Sequence, residues 1–243
     1  MPNVPQKLEV LSNLNLVMQK IRSACEKTGK DYKSVDLLAV TKYAKTNDVK
    51  TLVEKSAIKF IGESRLQDSL SKWKNGELSS LRESVTMHFI GHIQSNKIKK
   101  ICDLFDSINS VDNVKTAEQI DRHSYSLGKK MPIMLQINLT GSSVQSGTKL
   151  KEASNLLKEV RKFQNIEPRG YMAIAPIVEN AEELRPIFKE VKKVFDKDFP
   201  QEQSNYGQKN YLSLGMSEDF YIAIEEGSNL PRIGSLIFQP IGR

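Results

Sequence analysis

The chemistry in this chain starts from a lysine that follows a short apolar run. The run is Val35-Asp36-Leu37-Leu38-Ala39-Val40-Thr41, and Lys42 comes directly after it. Such a run reads as a buried strand. Side chains alternate across a strand, so Lys42 shares a face with Val40 and Leu38. With that face turned into a core, the amine emerges at the strand's carboxyl end, where α/β proteins place their reacting groups. A lysine there, deprotonated and held in place, can form a Schiff base with an aldehyde.

Two small-residue turns near the end of the chain could complement it. They are Leu214-Gly215-Met216-Ser217 and Gly234-Ser235. Glycine permits close backbone approach and the hydroxyls can donate; Ser217 is expected to open a helix whose amides point outward. In barrels, phosphate is frequently held by the loops after strands seven and eight. With Arg232 close by, the set suits a ligand carrying both a phosphate and a carbonyl, for which pyridoxal phosphate is the natural candidate. The usual partner of its ring nitrogen is an acid; an arginine there favours the unprotonated pyridine and weakens the electron sink. Each signal has a plain alternative. Ser217 with Glu218 and Asp219 matches an N-cap with acids in the first turn. Gly234-Ser235 could be a simple turn, Arg232 an ion-pair partner and Lys42 a surface lysine. Convergence on adjacent strands is what makes the set specific.

The elements that must position these residues alternate regularly. Spacings of three and four among Leu8, Leu11, Leu14 (or Asn15), Met18, Ile21 and Cys25 predict an amphipathic helix over 3–28. Strands are then expected over 35–42, 58–63, 87–91, 104–108, 132–139, 169–175, 211–214 and 230–234. Helices follow over 47–56, around Leu66, Leu70 and Trp73, and over 95–102, 113–127, 149–163, 181–195 and 217–226. Eight strands, alternating with helices, is the count of an α/β fold of the (β/α)8 TIM-type barrel class; a doubly wound open sheet is the runner-up. The expectation is a single domain over 1–243, with an additional N-terminal helix in 1–30 and the barrel over 35–238. Closure would set the eighth strand against the first, and Arg232 and Gly234 beside Lys42.

Composition narrows the classes. Hydrophobic residues make up 39% of the 243, ample for a core, and no run of apolar residues is long enough to span a bilayer. Residues 1–20 lack a signal-peptide core. Cys25 and Cys102 suggest no disulfide framework, and with His88, His92 and His123 they make no zinc-type spacing, so no metal is expected. A cytoplasmic, reduced setting fits. The net charge of +7 raises a polyanionic partner. However, the densest basic run, Lys97-Ile98-Lys99-Lys100, sits in a predicted helix with few aromatics nearby and reads as a solvated face, so nucleic-acid binding is not expected.

An ordered series of phrases then resembles the pyridoxal phosphate homeostasis proteins, which share the alanine racemase amino-terminal barrel. The phrases are Leu38-Ala39-Val40-Thr41-Lys42, Phe60-Ile61-Gly62-Glu63, His88-Phe89-Ile90-Gly91-His92-Ile93-Gln94-Ser95-Asn96-Lys97, Gln136-Ile137-Asn138, Ser146-Gly147, Arg169-Gly170-Tyr171-Met172-Ala173-Ile174, Leu212-Ser213-Leu214-Gly215-Met216-Ser217 and Pro231-Arg232-Ile233-Gly234-Ser235. The resemblance implies that Lys42 forms the internal aldimine and that Arg232 faces the pyridine nitrogen. It places Ser217, Gly234 and Ser235 around the phosphate, with Ser213 and Met216 nearby. Three departures stand out. Ser64 replaces the family's asparagine in Gly62-Glu63-Ser64, putting a shorter hydroxyl near the cofactor. Tyr43-Ala44-Lys45 follows the lysine, and Phe238-Gln239-Pro240 stands where Phe-Gly is usual.

The implied role is binding, buffering and delivery of pyridoxal 5'-phosphate for vitamin B6 homeostasis, with PLP-dependent apo-enzymes as possible recipients, no catalytic turnover and a monomeric state. The alternative is an amino acid racemase-like enzyme. Racemisation needs a base on each face of the α-carbon, and nine residues follow Gly234, too few for the β-domain that supplies the second base in alanine racemases. A Schiff-base aldolase acting on a sugar phosphate would use the same lysine and turns without a cofactor.

Overall fold

The computed structural model describes residues 6–142, 144–200 and 209–239. The apolar runs become eight strands: β1 Leu38–Val40, β2 Phe60–Glu63, β3 Thr86–Phe89, β4 Ser107–Val111, β5 Met131–Asn138, β6 Ile166–Ile174, β7 Tyr211–Ser213 and β8 Arg232–Ile233. They form one parallel sheet in the order β7-β6-β5-β4-β3-β2-β1-β8. Leu38 pairs with both Phe60 and Arg232, so the last strand lies against the first. Closing the sheet removes exposed strand edges. Among the described residues the ladder does not continue from β7 to β8. Individual bonds bridge that seam: Asn229 N and Leu230 N donate to Leu212 O, Arg232 N donates to Gly215 O, and Ser213 Oγ donates to Leu230 O. The expected (β/α)8 barrel is therefore the observed architecture, with one seam stitched by single hydrogen bonds.

Helices α1 Gln6–Lys27, α2 Thr46–Lys55, α3 Leu66–Ser69, α4 Ile98–Leu104, α5 Val114–Ser126, α6 Leu150–Val160, α7 Arg185–Asp198, α8 Phe220–Glu225 and α9 Ser235–Phe238 surround it. The expected N-terminal helix is present as α1, which packs against α2, α8 and α9; its predicted start at 3–5 and the side chain of Leu8 lie outside the described residues, as does Pro240. Asn13 on α1 donates to Ile237 O and Gln239 O, tying the end of α9 to that helix.

Alternation along the strands makes two cores. Ala39, Ile61 and Ile233 face the helices, whereas Leu38, Met134, Met172 and Leu230 form a small cluster inside the barrel with Phe60 and Tyr211 against it. A polar group shares that interior. His88 Nδ1 lies 3.3 Å from Asn109 Oδ1, which also accepts from Ser107 Oγ at 2.8 Å.

This polar layer corrects the expectation for the fourth strand. The predicted span over 104–108 followed Leu104 and Phe105, but Leu104 ends α4, and Phe105 packs edge-on against Phe89 with ring centroids 5.1 Å apart. The strand is Ser107–Val111, buried throughout, because Ser107 and Asn109 satisfy each other inside the barrel. The first strand is also shorter than predicted: Lys42 lies in the turn that follows it.

His88 carries a pH dependence. It is 4% exposed, and burial pushes its pKa down from 6.5 to about 4, against the Asn109 hydrogen bond, which raises it. Its Nε2 has no partner among the described residues. Between pH 6.5 and 4 the unfolded chain therefore binds the proton that the folded chain refuses, and stability falls with pH across that window by up to about 3 kcal/mol. Urea midpoints of the unliganded protein should decline from pH 7 to pH 4.5, and His88→Gln should flatten the decline. Parallel curves for the two proteins would show that other groups set it.

Candidate functional site

The site occupies the carboxyl ends of β1, β6, β7 and β8. β1 carries Val40 to the rim, and the chain then turns, Ala44 N donating to Thr41 O at 3.1 Å. Lys42 is the first central residue of that turn, half-buried, with Nζ 5.1 Å from the Tyr43 ring centroid. Arg65 sits over the same ring at 4.9 Å and donates to the Tyr43 hydroxyl at 3.1 Å. Ser64 follows β2, and its backbone packs so closely on Gly91 that a Cβ there would overlap the Ser64 carbonyl oxygen.

Beside the lysine, on the strands that follow β1 round the barrel, the loops after β7 and β8 meet. Gly215 takes φ +88°, a conformation that favours glycine, and a Cβ on it would also collide with Ala223 and Phe220. Asp219 Oδ1 then accepts from Met216 N at 2.6 Å and closes the turn. Ser235 Oγ donates to Ser217 Oγ at 2.7 Å, so the two expected phosphate turns are joined hydroxyl to hydroxyl. Ser217 does not open a helix as expected: α8 begins at Phe220, with Asp219 at its cap position. The side-chain bond from Asp219 draws residues 216–219 into a turn of their own.

Arg232 is 6% exposed and donates from Nη1 to Ser213 O (2.7 Å) and Ser213 Oγ (3.0 Å), and from Nη2 to Ala173 O (2.8 Å). Burial lowers its pKa to about 10, with the Asp219 carboxylate pulling the other way. Asp219 itself is raised by burial, while the Met216 amide and Arg232 lower it.

Lys42, Ser64, Met216, Ser217, Arg232, Gly234 and Ser235 line one cleft of about 1140 Å³. Ser213 is fully buried and stands apart: its hydroxyl donates to Leu230 O and accepts from Arg232. The third departure, Phe238-Gln239, contributes to the same cleft.

The sequence reading passed over three features. The segment 175–181 after β6 forms a wall of the cleft, which no local pattern announces. Asp219 shapes the turn after β7, and its place two residues after Ser217 was the available signal. Behind Lys42, Thr41, Glu63 and Lys72 are bonded together; only the even spacing of strand residues hinted that Thr41 faces away from the cleft. The motifs around His92 and Ser146 build a loop instead: His92 Nδ1 lies 2.9 Å from Ser146 Oγ, Gln136 donates to Ser146 O, and Asn138 donates to Ser142 O and Gln145 O. Among the described residues no group of three or more His, Cys, Asp or Glu could hold a metal ion, and no helix is long and apolar enough to cross a membrane.

Comparison with known proteins bears on the family and the fold. The sequence profile for "Alanine racemase, N-terminal domain" matches residues 13–240. The pyridoxal phosphate homeostasis protein of Pseudomonas aeruginosa is 32% identical over 230 residues, 94% of each chain. That of Aquifex aeolicus is 29% identical over 231 residues, covering 95% of this chain and 98% of its own. The solved structure of PipY from Synechococcus elongatus with PLP bound superposes with a TM-score of 0.74 at 28% identity, covering 90% of this chain and 99% of that one. The chain belongs to the alanine racemase N-terminal domain family and, within it, to the pyridoxal phosphate homeostasis proteins.

Proposed function

We propose that this protein binds pyridoxal 5'-phosphate in the cleft at the carboxyl ends of β1, β7 and β8, holds it reversibly on Lys42 and releases it to other proteins. One observation carries the reading: a primary amine, a buried guanidinium and two joined hydroxyl turns line a single cleft. The names of the relatives and the bound PLP of PipY support it.

The residues fit the group. Ser217 and Ser235 offer hydroxyls, and Gly234 lets the turn after β8 pack close against β1, since a Cβ there would come 3.0 Å from Val40 O. When bound, the cofactor supplies an aldehyde and an electron-withdrawing ring. Lys42 Nζ condenses with the aldehyde carbon, a C=N bond forming and one water leaving; hydrolysis reverses it. Ser64 lines the same cleft, and Met216 contributes to the phosphate turn.

Arg232 has only donors, and its guanidinium is already shared among Ser213 and Ala173 oxygens. Turned towards the ring nitrogen, it leaves that nitrogen unprotonated, which weakens the electron sink that turnover requires. The role is therefore storage and transfer without catalytic turnover, in a cytoplasmic setting, with cofactor-requiring apo-enzymes as recipients. Purified protein mixed with pyridoxal phosphate should turn yellow, and borohydride should bleach it and fix one pyridoxyl phosphate on Lys42 by mass spectrometry. A colourless protein that cleaves a sugar phosphate would overturn the reading in favour of an aldolase.

A further inference from the structure

Thr41 precedes Lys42 and points to the opposite side of the strand, away from the cleft. All three of its polar groups are held. Its N donates to Gly62 O at 3.1 Å, and its Oγ1 donates to Glu63 Oε1 at 2.7 Å. Its carbonyl oxygen accepts both from Ala44 N, closing the turn that carries Lys42, and from Lys72 Nζ at 3.1 Å. Lys72 Nζ also lies 3.7 Å from Glu63 Oε1, which accepts from Trp73 Nε1 at 3.3 Å.

The arrangement is costly. Glu63 is fully buried, and its Oε2 has no partner among the described residues. A buried ion pair commonly stabilises less than an apolar replacement of the same volume. The helix that supplies the cation departs from α geometry. Residues Leu70–Lys74 form a π turn, with Asn75 N donating to Leu70 O five residues back. This wider winding presents the consecutive side chains of Lys72 and Trp73 to one carboxylate. Such turns recur at functional sites.

We propose that Glu63 and Lys72 are positioning residues for Lys42, acting through Thr41. Lys72 braces the carbonyl that closes the turn, Glu63 anchors the hydroxyl one residue before the reactive amine, and together they fix the direction in which Lys42 enters the cleft. The proposal rests on the reading of Lys42 as the amine that captures the aldehyde. It requires an effect on covalent capture and none on the noncovalent contacts of the phosphate turns, which are held by their own bonds from Met216 N to Asp219 and from Ser235 to Ser217.

The test uses the full chain and two ligands. Pyridoxal phosphate reports capture through the rise of imine absorption. Pyridoxamine phosphate, which has no aldehyde, reports the noncovalent contacts alone. Lys72→Met should slow capture on the order of tenfold by misdirecting the amine and leave pyridoxamine phosphate affinity within about twofold of wild type. Lys72→Arg, which keeps a cation on Thr41 O, should recover most of the rate. Glu63→Gln should change capture in the same direction if it folds; Lys72→Met, at a partly exposed position, carries the test if it does not. Capture at the wild-type rate by folded Lys72→Met would overturn the proposal, as would equal losses for both ligands, which would show general loosening. Absence of any imine in the wild type would instead overturn the reading of Lys42.

Discussion

Lys42→Ala should remove the yellow imine absorption completely and leave no borohydride-fixed label on the chain, while the unliganded protein melts close to the wild-type temperature. The two halves of this expectation have different physical origins. In the proposed reading the amine is the nucleophile, and alanine offers no substitute, so covalent capture should go to zero. What remains is the noncovalent hold of the Ser217–Ser235 turns and Arg232, and equilibrium affinity for pyridoxal phosphate should weaken on the order of 100-fold, about 3 kcal/mol. Stability is barely touched because Lys42 is half-buried in a turn, and its contact with the exposed Tyr43 ring is of the kind worth about 0.5–1 kcal/mol. Absorption spectra, equilibrium dialysis and a thermal melt check the three parts. Retention of colour with label on Lys45 or Lys72 would show that the wrong lysine has been identified.

Arg232→Leu should lower the melting temperature of the unliganded protein by about 10 °C, corresponding to a loss of about 3–5 kcal/mol for a chain of this size. The reason lies in the barrel seam. β7 and β8 share no continuous ladder, and the guanidinium spans the gap, donating to Ser213 on β7 and to Ala173 on β6. Leucine would leave the Ser213 and Ala173 carbonyls facing an apolar side chain at the place where the sheet is thinnest, and buried acceptors left unpaired cost about 1–3 kcal/mol each. Arg232→Lys should recover only part of the loss, since one ammonium cannot reproduce the planar fork. An unliganded Arg232→Leu protein that melts like the wild type would mean the arginine serves the ligand alone. In the variant, added pyridoxal phosphate should also raise the melting temperature less than in the wild type.

Much of this protein was legible in local pattern. The eight alternations, the N-terminal helix and the lysine at the end of the first strand all rest on periodicity and on residues within a few positions of one another. The turns at Gly215 and Gly234 were legible for the same reason, since a glycine beside small hydroxyl residues marks a turn; the φ of +88° at Gly215 then shows why glycine stands there. Chain order placed Lys42 beside Arg232 once closure was assumed, and the observed register of Leu38 opposite Arg232 agrees.

Interactions across the sheet were decided only by the tertiary structure. Ser213 stands in the same motif as Met216 and Ser217, yet it turns into the seam and is occupied by Arg232 and Leu230, because a barrel that closes on short strands must satisfy its open edge. Ser107 and Asn109 belong to the fourth strand because His88 lies across from them. Ser107 lay inside the expected span and Asn109 beyond it; the polarity of both is satisfied within the barrel. Asp219 shortens α8 by capturing an amide three residues back, and Glu63 and Lys72 meet Thr41 only after strand and helix have packed. The sequence by itself determined which groups could do chemistry and the order in which the elements come. The folded barrel decided which of those groups face the cleft and which hold it in shape, because that choice depends on hydrogen bonds between residues far apart in the chain.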